Sequence, residues 1–336
     1  VPSPPGSGAT PARLERLAAA ARSVPGGDGE VSVLYDRHGV LVVRTGDVVA
    51  KLHQEGRAGG AALHRRLTLA AELPELLPPL APPEECDGRA ITLWPFGEPV
   101  DPHDPPWADA GRLLARLHRR PVPPGAPPMG RPGRLARVVG ALGEGTAETE
   151  IRRAFATLPA RLRGEHDGTP PRHPGHVVGE HGEGTAEDEI RPARATLAAR
   201  PRREAEPSGG GRGLVHGDWH LGQMVRYRGE WRLIDVEDLG IGNPAWDLAR
   251  PAALYLAGVL PADDWTTFLG AYQGAGGPVG ATEPLWTVLD LPARSLVIQI
   301  AATCVQSARA EGRPLTGAEQ AVVDAAGRVA RVQAPA

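Results

Sequence analysis

Two stretches decide how this chain is read: His216-Gly217-Asp218-Trp219-His220-Leu221-Gly222-Gln223, and the following Leu233-Ile234-Asp235-Val236-Glu237-Asp238. Leu214-Val215 and residues 232–236 have the apolar, β-branched character of short strands, and the polar glycine-containing run between them reads as a loop. Such a loop presents the Asp218 carboxylate and then the Gln223 amide, and a second carboxylate, Asp235, leaves the next strand. These are hard oxygen donors, the kind Mg²⁺ takes when phosphate oxygens and water complete its shell. Taken singly, Asp218 or Asp235 has the profile of a turn or capping residue; the spacing and the strand-loop-strand setting distinguish them. His216, Asp218 and His220 also form H-x-D-x-H, the ligand types of a transition-metal hydrolase. That reading needs further ligands, and the other clustered histidines, His173, His176 and His181, lie in a separate segment.

Working outward, residues 31–35, 40–44 and 48–52 are three strand-like runs joined by tight turns at Asp36-Arg37-His38-Gly39 and Thr45-Gly46, hence an antiparallel sheet. Lys51, near the end of the third run, is the single lysine among 37 Lys and Arg residues. Everywhere else the chain uses a planar guanidinium, so the compact ammonium here reads either as a special site or as one residue left in a lysine-poor composition, and its location decides between them. Residues 57–77 are predicted helical. Residues 90–93 form a further strand, leading into Trp94-Pro95-Phe96-Gly97, and residues 107–119 carry an amphipathic helix. A short helix is expected over residues 12–23 after a Pro-, Gly- and Ser-rich start read as disordered. Beyond Pro244 the pattern is helical, with a buried helix at 295–306 and a capping box, Thr316 with Glu319, opening the last helix.

The HGDxH and IDxxD segments, the continuation Gly242-Asn243-Pro244-Ala245-Trp246-Asp247-Leu248-Ala249, the Leu-Ala-Arg-Leu-His helix end and the Val-Ala-Lys strand together resemble the aminoglycoside phosphotransferase family and its choline, homoserine and macrolide kinase relatives. The resemblance spans residues 30–120 and 212–330. It implies an α+β, protein-kinase-like bilobal fold: a flexible start and short helix (1–24), a small antiparallel-sheet N-lobe (25–97) and a larger helical C-lobe (98–336). It also implies Mg²⁺-dependent transfer of a phosphoryl group from ATP or GTP to a small-molecule hydroxyl, chemistry that asks a protein mainly for positioning and charge. Asp218 would be the catalytic base, Asp235 and Gln223 the metal ligands, and Lys51 the cation on the α- and β-phosphates. Leu93, Trp94 and Phe96 would hold the nucleotide base through the linker, and His216, His220 and Asp247 would support the loop.

The sequence departs from the family pattern in two places. Gln223 stands where the family has Asn, and the helix after Lys51 shows no obvious glutamate to pair with the lysine, Glu55 lying too early and Glu72 being the candidate. Those departures keep open a nucleotide-binding chain without turnover. Glu237 and Asp238 read as auxiliary or solvated. Residues 138–161 (VVGALGEGTAETEIRRAFATLPAR) recur as residues 177–200, within an insertion spanning about 138–210. The first copy keeps Leu142, Ile151, Phe155 and Leu158 for packing. The second places Pro192 inside its helix and reads as a dispensable duplication.

A formal net charge of −3 gives no nucleic-acid footprint, and no apolar run reads as membrane-spanning. The chain opens at Val1 with no charged-apolar-small leader. The two cysteines, Cys86 and Cys304, sit in no metal or redox spacing, so a cytoplasmic location is expected. Past Pro244 acidic residues only slightly outnumber arginines, which is no signature of a polycation site, and fold does not fix the acceptor.

Overall fold

The computed structural model describes residues 10–37, 39–55, 61–130, 133–163 and 211–331. The readings made for the first nine residues and for the second repeat copy lie outside them. The chain forms two compact units: Val1–Pro106 with Pro121–Gly130 and His220–Ile241, and Trp107–Arg120 with Arg131–Trp219 and Gly242–Ala336.

The first unit is built on strands β1 (Val31–Arg37), β2 (Val40–Thr45), β3 (Val48–Leu52), β4 (Glu84–Cys86) and β5 (Arg89–Pro95), in the antiparallel order β1-β2-β3-β5-β4. Alternation along β2 and β3 turns Leu41, Val43, Val48, Ala50 and Leu52 to one face. Helix α1 (Pro11–Arg22) covers that face with Leu17, Ala20 and Ala21. The same period of two puts Lys51 and His53 on the opposite side, with Thr92 paired across from Lys51. Helix α2 (Ala61–Glu72) ends before residues 73–77 of its predicted span, and residues 57–60 of that span lie outside the described residues.

A second, three-stranded sheet in this unit joins β6 (Glu98–Pro99), β8 (Met224–Tyr227) and β9 (Glu230–Leu233). The β8–β9 turn puts Arg228 and Gly229 at φ 51° and 82°, the left-handed region that glycine occupies freely. Leu233 is locked from both sides: its N–H donates to the Glu75 carbonyl (2.8 Å), and its carbonyl accepts from Leu77 (2.9 Å). The residues that follow Leu233 thus leave a fixed anchor.

The described residues of the second unit are mainly helical and include β7 (Gly213–Val215). Its helices are α3 (Trp107–His118), α4 (Arg134–Gly140), α5 (Thr146–Ala156), α6 (Ala160–Arg163), α7 (Ala245–Ala257), α8 (Ala262–Gly274), α9 (Leu285–Ala310) and α10 (Gly317–Arg331). Helix α3 lies hard against α8: a Cβ on Gly111 would come within 2.3 Å of the Phe268 carbonyl oxygen, so the approach requires glycine. The first repeat copy packs as expected, with Leu142, Ile151 and Leu158 buried in a core shared with α7, α9 and α10. The capping box closes both ways, Thr316 N–H to Glu319 at 2.7 Å and Glu319 N–H to the Thr316 hydroxyl at 3.3 Å.

One expectation needs amending. By length and composition alone, α9 is long and apolar enough to cross a membrane. Val288, Leu289, Ile298, Ala301 and Ala302 along it are buried among the other helices, which makes it a core helix of this unit.

Candidate active site

In the first unit, Lys51 reaches two carboxylates, Asp235 at 2.8 Å and Glu237 at 2.7 Å. Asp235 follows β9 with φ 60° and ψ 56°, a left-handed conformation that a non-glycine residue holds only where its surroundings fix it. A 3₁₀ turn over Val236–Asp238 then brings Glu237 to the same ammonium. Burial alone would lower the Lys51 pKa; the charges of Asp235 and then Glu237, with their hydrogen bonds, more than reverse this and raise it. Burial likewise opposes ionisation of Glu237, and the hydrogen bond from His53 and the Lys51 charge overcome it, holding that carboxyl far below its ordinary range.

The partner of Lys51 is therefore not Glu72, which is exposed at the end of α2, and Glu237 is neither solvated nor peripheral. His53 orients it. Its Nδ1 is 2.7 Å from Glu237, and its Nε2 is 2.8 Å from the Thr92 hydroxyl, which also accepts from Trp94 Nε1 at 2.9 Å. Every group in that chain is satisfied when Thr92 donates to Nε2 and the His53 proton sits on Nδ1, facing the carboxylate. His53 is legible in the sequence as the residue sharing the Lys51 face of β3.

Gln223 ends a 3₁₀ turn over Leu221–Gln223, and its amide nitrogen lies 3.3 Å from Asp235 and 3.2 Å from His220 Nε2. His220 Nδ1 accepts from the Gly222 N–H (3.1 Å), so a neutral ring carries its proton on Nε2. That proton then points at an amide donor. Turning the amide over satisfies His220 but sets oxygen against the Asp235 carboxylate, an arrangement made favourable by a cation between them. Gln223 and Asp235 fit a hard divalent ion on that ground.

The linker residues lie on and just beyond β5. Trp94 is buried, the Leu93 carbonyl accepts from Leu80 (2.8 Å), and the Phe96 N–H donates to Asp47 (2.7 Å) with the Arg44 guanidinium 3.5 Å over its ring. The Phe96 amide is thus already committed within the protein.

In the second unit, Asp247 has no exposed side-chain surface and gathers three donors: His216 N–H (2.7 Å), Gly217 N–H (2.8 Å) and His118 Nε2 (2.9 Å). Gly217 has φ 88°, where a side chain would strain the loop. His118 is held in turn by Tyr272 (2.9 Å), whose phenol burial pushes well above its ordinary pKa. Trp219 stacks on Phe268 with centroids 5.2 Å apart, a packing role. Next in the loop, Asp218 binds Arg134 through one oxygen and Arg250 through the other at 3.0 Å. Neither arginine stands out in the sequence, where each is one among many. Among the described residues, no group of three or more His, Cys, Asp or Glu side chains could hold a metal, so His216, Asp218 and His220 do not assemble as a hydrolase ligand set.

Known proteins bear on this geometry. The model of the phosphotransferase enzyme family matches residues 83–291. A search of the curated proteins gives no match. Among solved structures, the chain is similar to an amicoumacin kinase in complex with AMP-PNP, Ca²⁺ and Ami (15% identity, 95% of this chain and 93% of that one, TM-score 0.55). It is also similar to choline kinase from Cryptosporidium parvum Iowa II (10%, 96% and 95%, TM-score 0.52) and to a spectinomycin phosphotransferase in complex with ADP and spectinomycin (11%, 96% and 98%, TM-score 0.50). At such identities these structures speak to the fold, which is the mixed α+β, kinase-like one expected. With more than half its length matched by the family model, the chain belongs to the phosphotransferase enzyme family.

Proposed function

We propose that this phosphotransferase moves the γ-phosphoryl group of ATP or GTP onto a small-molecule hydroxyl with Mg²⁺ as cofactor. The observation that carries the reading is Lys51 held between Asp235 and Glu237. A lysine so placed is pre-aimed and fully charged, as a phosphate cation must be. Nucleotide use is supported by the AMP-PNP and ADP in the complexes of the fold neighbours.

In the step itself, the acceptor oxygen forms a bond to the γ-phosphorus while the bond to the β–γ bridging oxygen breaks, and the nucleoside diphosphate leaves with that electron pair. The hydroxyl proton passes to an Asp218 carboxylate oxygen. Asp218 orients the acceptor more than it activates it, since two guanidiniums already compensate its charge. His216 and Gly217, tied to Asp247, keep that carboxylate fixed. Asp235 and Gln223 would hold Mg²⁺, which when bound neutralises phosphate charge. Glu237 keeps Lys51 in place when Asp235 serves the metal.

Calorimetry with ATP and GTP, with and without Mg²⁺, tests this on wild type, Lys51→Ala and Asp218→Asn. Mg²⁺-dependent binding should weaken by about tenfold or more in Lys51→Ala, the weight of a charge-assisted contact. Asp218→Asn should bind nucleotide as wild type does yet lose acceptor-stimulated turnover. A wild type that binds neither nucleotide refutes the proposal.

A further inference from the structure

We infer that the acceptor carries an anionic group, a carboxylate or a phosphate, next to the hydroxyl that is phosphorylated. The inference rests on the kinase reading above and deepens it by naming the class of acceptor.

It starts from the surroundings of Asp218. Both of its oxygens are engaged by guanidiniums, Arg134 on one and Arg250 on the other, and the three side chains keep between 17% and 29% of their surface exposed. The group is accessible, not sealed into a core. Among the described residues, two guanidiniums face this one carboxylate, so an acceptor hydroxyl brought to it would sit beside positive charge. An acceptor bearing ammonium groups would have to displace cations already in place, and like charges repel at this range.

Arg250 is no incidental neighbour. It lies on α7 one turn beyond Asp247, the residue that clamps the backbone of His216 and Gly217. One turn of helix therefore fixes both the loop carrying Asp218 and the guanidinium beside it. Arg250 is also under-compensated: its Nε is buried with no hydrogen-bond partner among the described residues. Burial, with Asp218 opposing and Arg134 adding to it, lowers its pKa. An arriving anion can pair with the part of this guanidinium side chain that stays exposed, 21% of its surface. A carboxylate or phosphate has the planar or multi-oxygen geometry to accept paired N–H bonds from arginine. Once the guanidiniums turn to that anion, the Asp218 oxygens are released to the hydroxyl.

Small probes sharing one hydroxyl test this without knowledge of the natural acceptor. Glycolate, 2-hydroxyethyl phosphate, the neutral glycolamide and the cationic ethanolamine are titrated into the full chain loaded with Mg²⁺ and AMP-PNP, with calorimetry and thermal shift as readouts. Either anionic probe should bind about tenfold tighter than glycolamide, and ethanolamine no better than glycolamide. The stronger of the two anions identifies carboxylate or phosphate. The preference should fall about tenfold in Arg250→Gln or Arg134→Gln, and Arg250→Lys should restore part of it. Thermal melting confirms that each variant is folded, and Arg134, at the start of a short helix, supplies the test if Arg250→Gln is not. Anions binding no better than the neutral probe, or ethanolamine binding best, overturns the inference, as does a preference that survives in both Gln variants. Failure of wild type to bind AMP-PNP would instead sink the kinase reading itself.

Discussion

Replacing Glu237 by Gln keeps the shape of the Lys51 site and removes one charge. The side chains of Lys51 and Glu237 are 14% and 7% exposed, so the pair is poorly screened by solvent. The substituted amide oxygen still accepts from His53 or from Lys51, and Asp235 remains at 2.8 Å, so the ammonium is not stranded. The loss is thus one charge-assisted bond downgraded to a neutral one, about 1.5 kcal/mol of folding stability, short of the larger cost of breaking a buried pair outright. Function should suffer by another route. With a neutral side chain at position 237, Lys51 leans on Asp235 alone, and Asp235 then serves lysine and metal together. Affinity for Mg²⁺-ATP should drop about tenfold, with a smaller change when Mg²⁺ is absent. Acid adds an independent check. Because folding depresses the Glu237 pKa below its ordinary 4.5, the stability it contributes is present above that value and is lost as pH falls through and beneath it. The Glu237→Gln melting temperature should therefore decline less on acidification than that of wild type. Calorimetry and melting curves from neutral pH downward read both effects, with Glu72→Gln as the control. The reasoning fails if Glu237→Gln matches wild type in nucleotide affinity and melting, or if Glu72→Gln reproduces its losses.

Two further substitutions probe the positioning of the site. Gly111→Ala would drive a methyl to within 2.3 Å of the Phe268 carbonyl, forcing α3 and α8 apart at a cost of about 2 kcal/mol, seen as a lower midpoint in urea without a changed slope. Gln223→Leu removes the amide, so the Mg²⁺ concentration needed for half-maximal nucleotide binding should rise while metal-free nucleotide binding stays as it was; an unchanged Mg²⁺ requirement would rule out Gln223 as a ligand.

The parts of this architecture visible in the sequence are those set by local periodicity. Strand β3 falls over the predicted residues, because alternation against a buried face fixes a strand's register as well as its existence. Strand β8 lacks such a signal: Met224–Tyr227 is a four-residue run whose hairpin turns on Arg228-Gly229, weak evidence until its partner β9 is known. The family resemblance directs attention to the helix after Lys51 for the lysine's carboxylate partner, where no glutamate is obvious and Glu72 is the candidate. The partners come instead from a left-handed residue and a 3₁₀ turn after β9, a geometry that no periodic pattern encodes. His53 is within reach of sequence reasoning, since it shares a strand face with Lys51. Arg134 is not: its bond to Asp218 joins segments far apart in the chain, and nothing local separates it from other surface arginines.

Among the described residues the two clusters gather charge differently, and under the proposed function each would favour a different ligand. Around Lys51 two carboxylates face one ammonium, with His53 against Glu237 and, beside Asp235, an amide whose oxygen can turn toward it. Buried charge is costly until it is compensated, and under the proposed function Mg²⁺ at Asp235 and Gln223 would add to that compensation. Around Asp218 two guanidiniums face one carboxylate, and the anionic acceptor inferred above would pair with them. A chain shaped for a polycationic antibiotic would invert the second arrangement, lining the approach to its catalytic carboxylate with further acids. Among the described residues, Arg134 and Arg250 stand beside Asp218 instead, and under the proposed function discrimination between acceptors would begin with charge at the reacting hydroxyl.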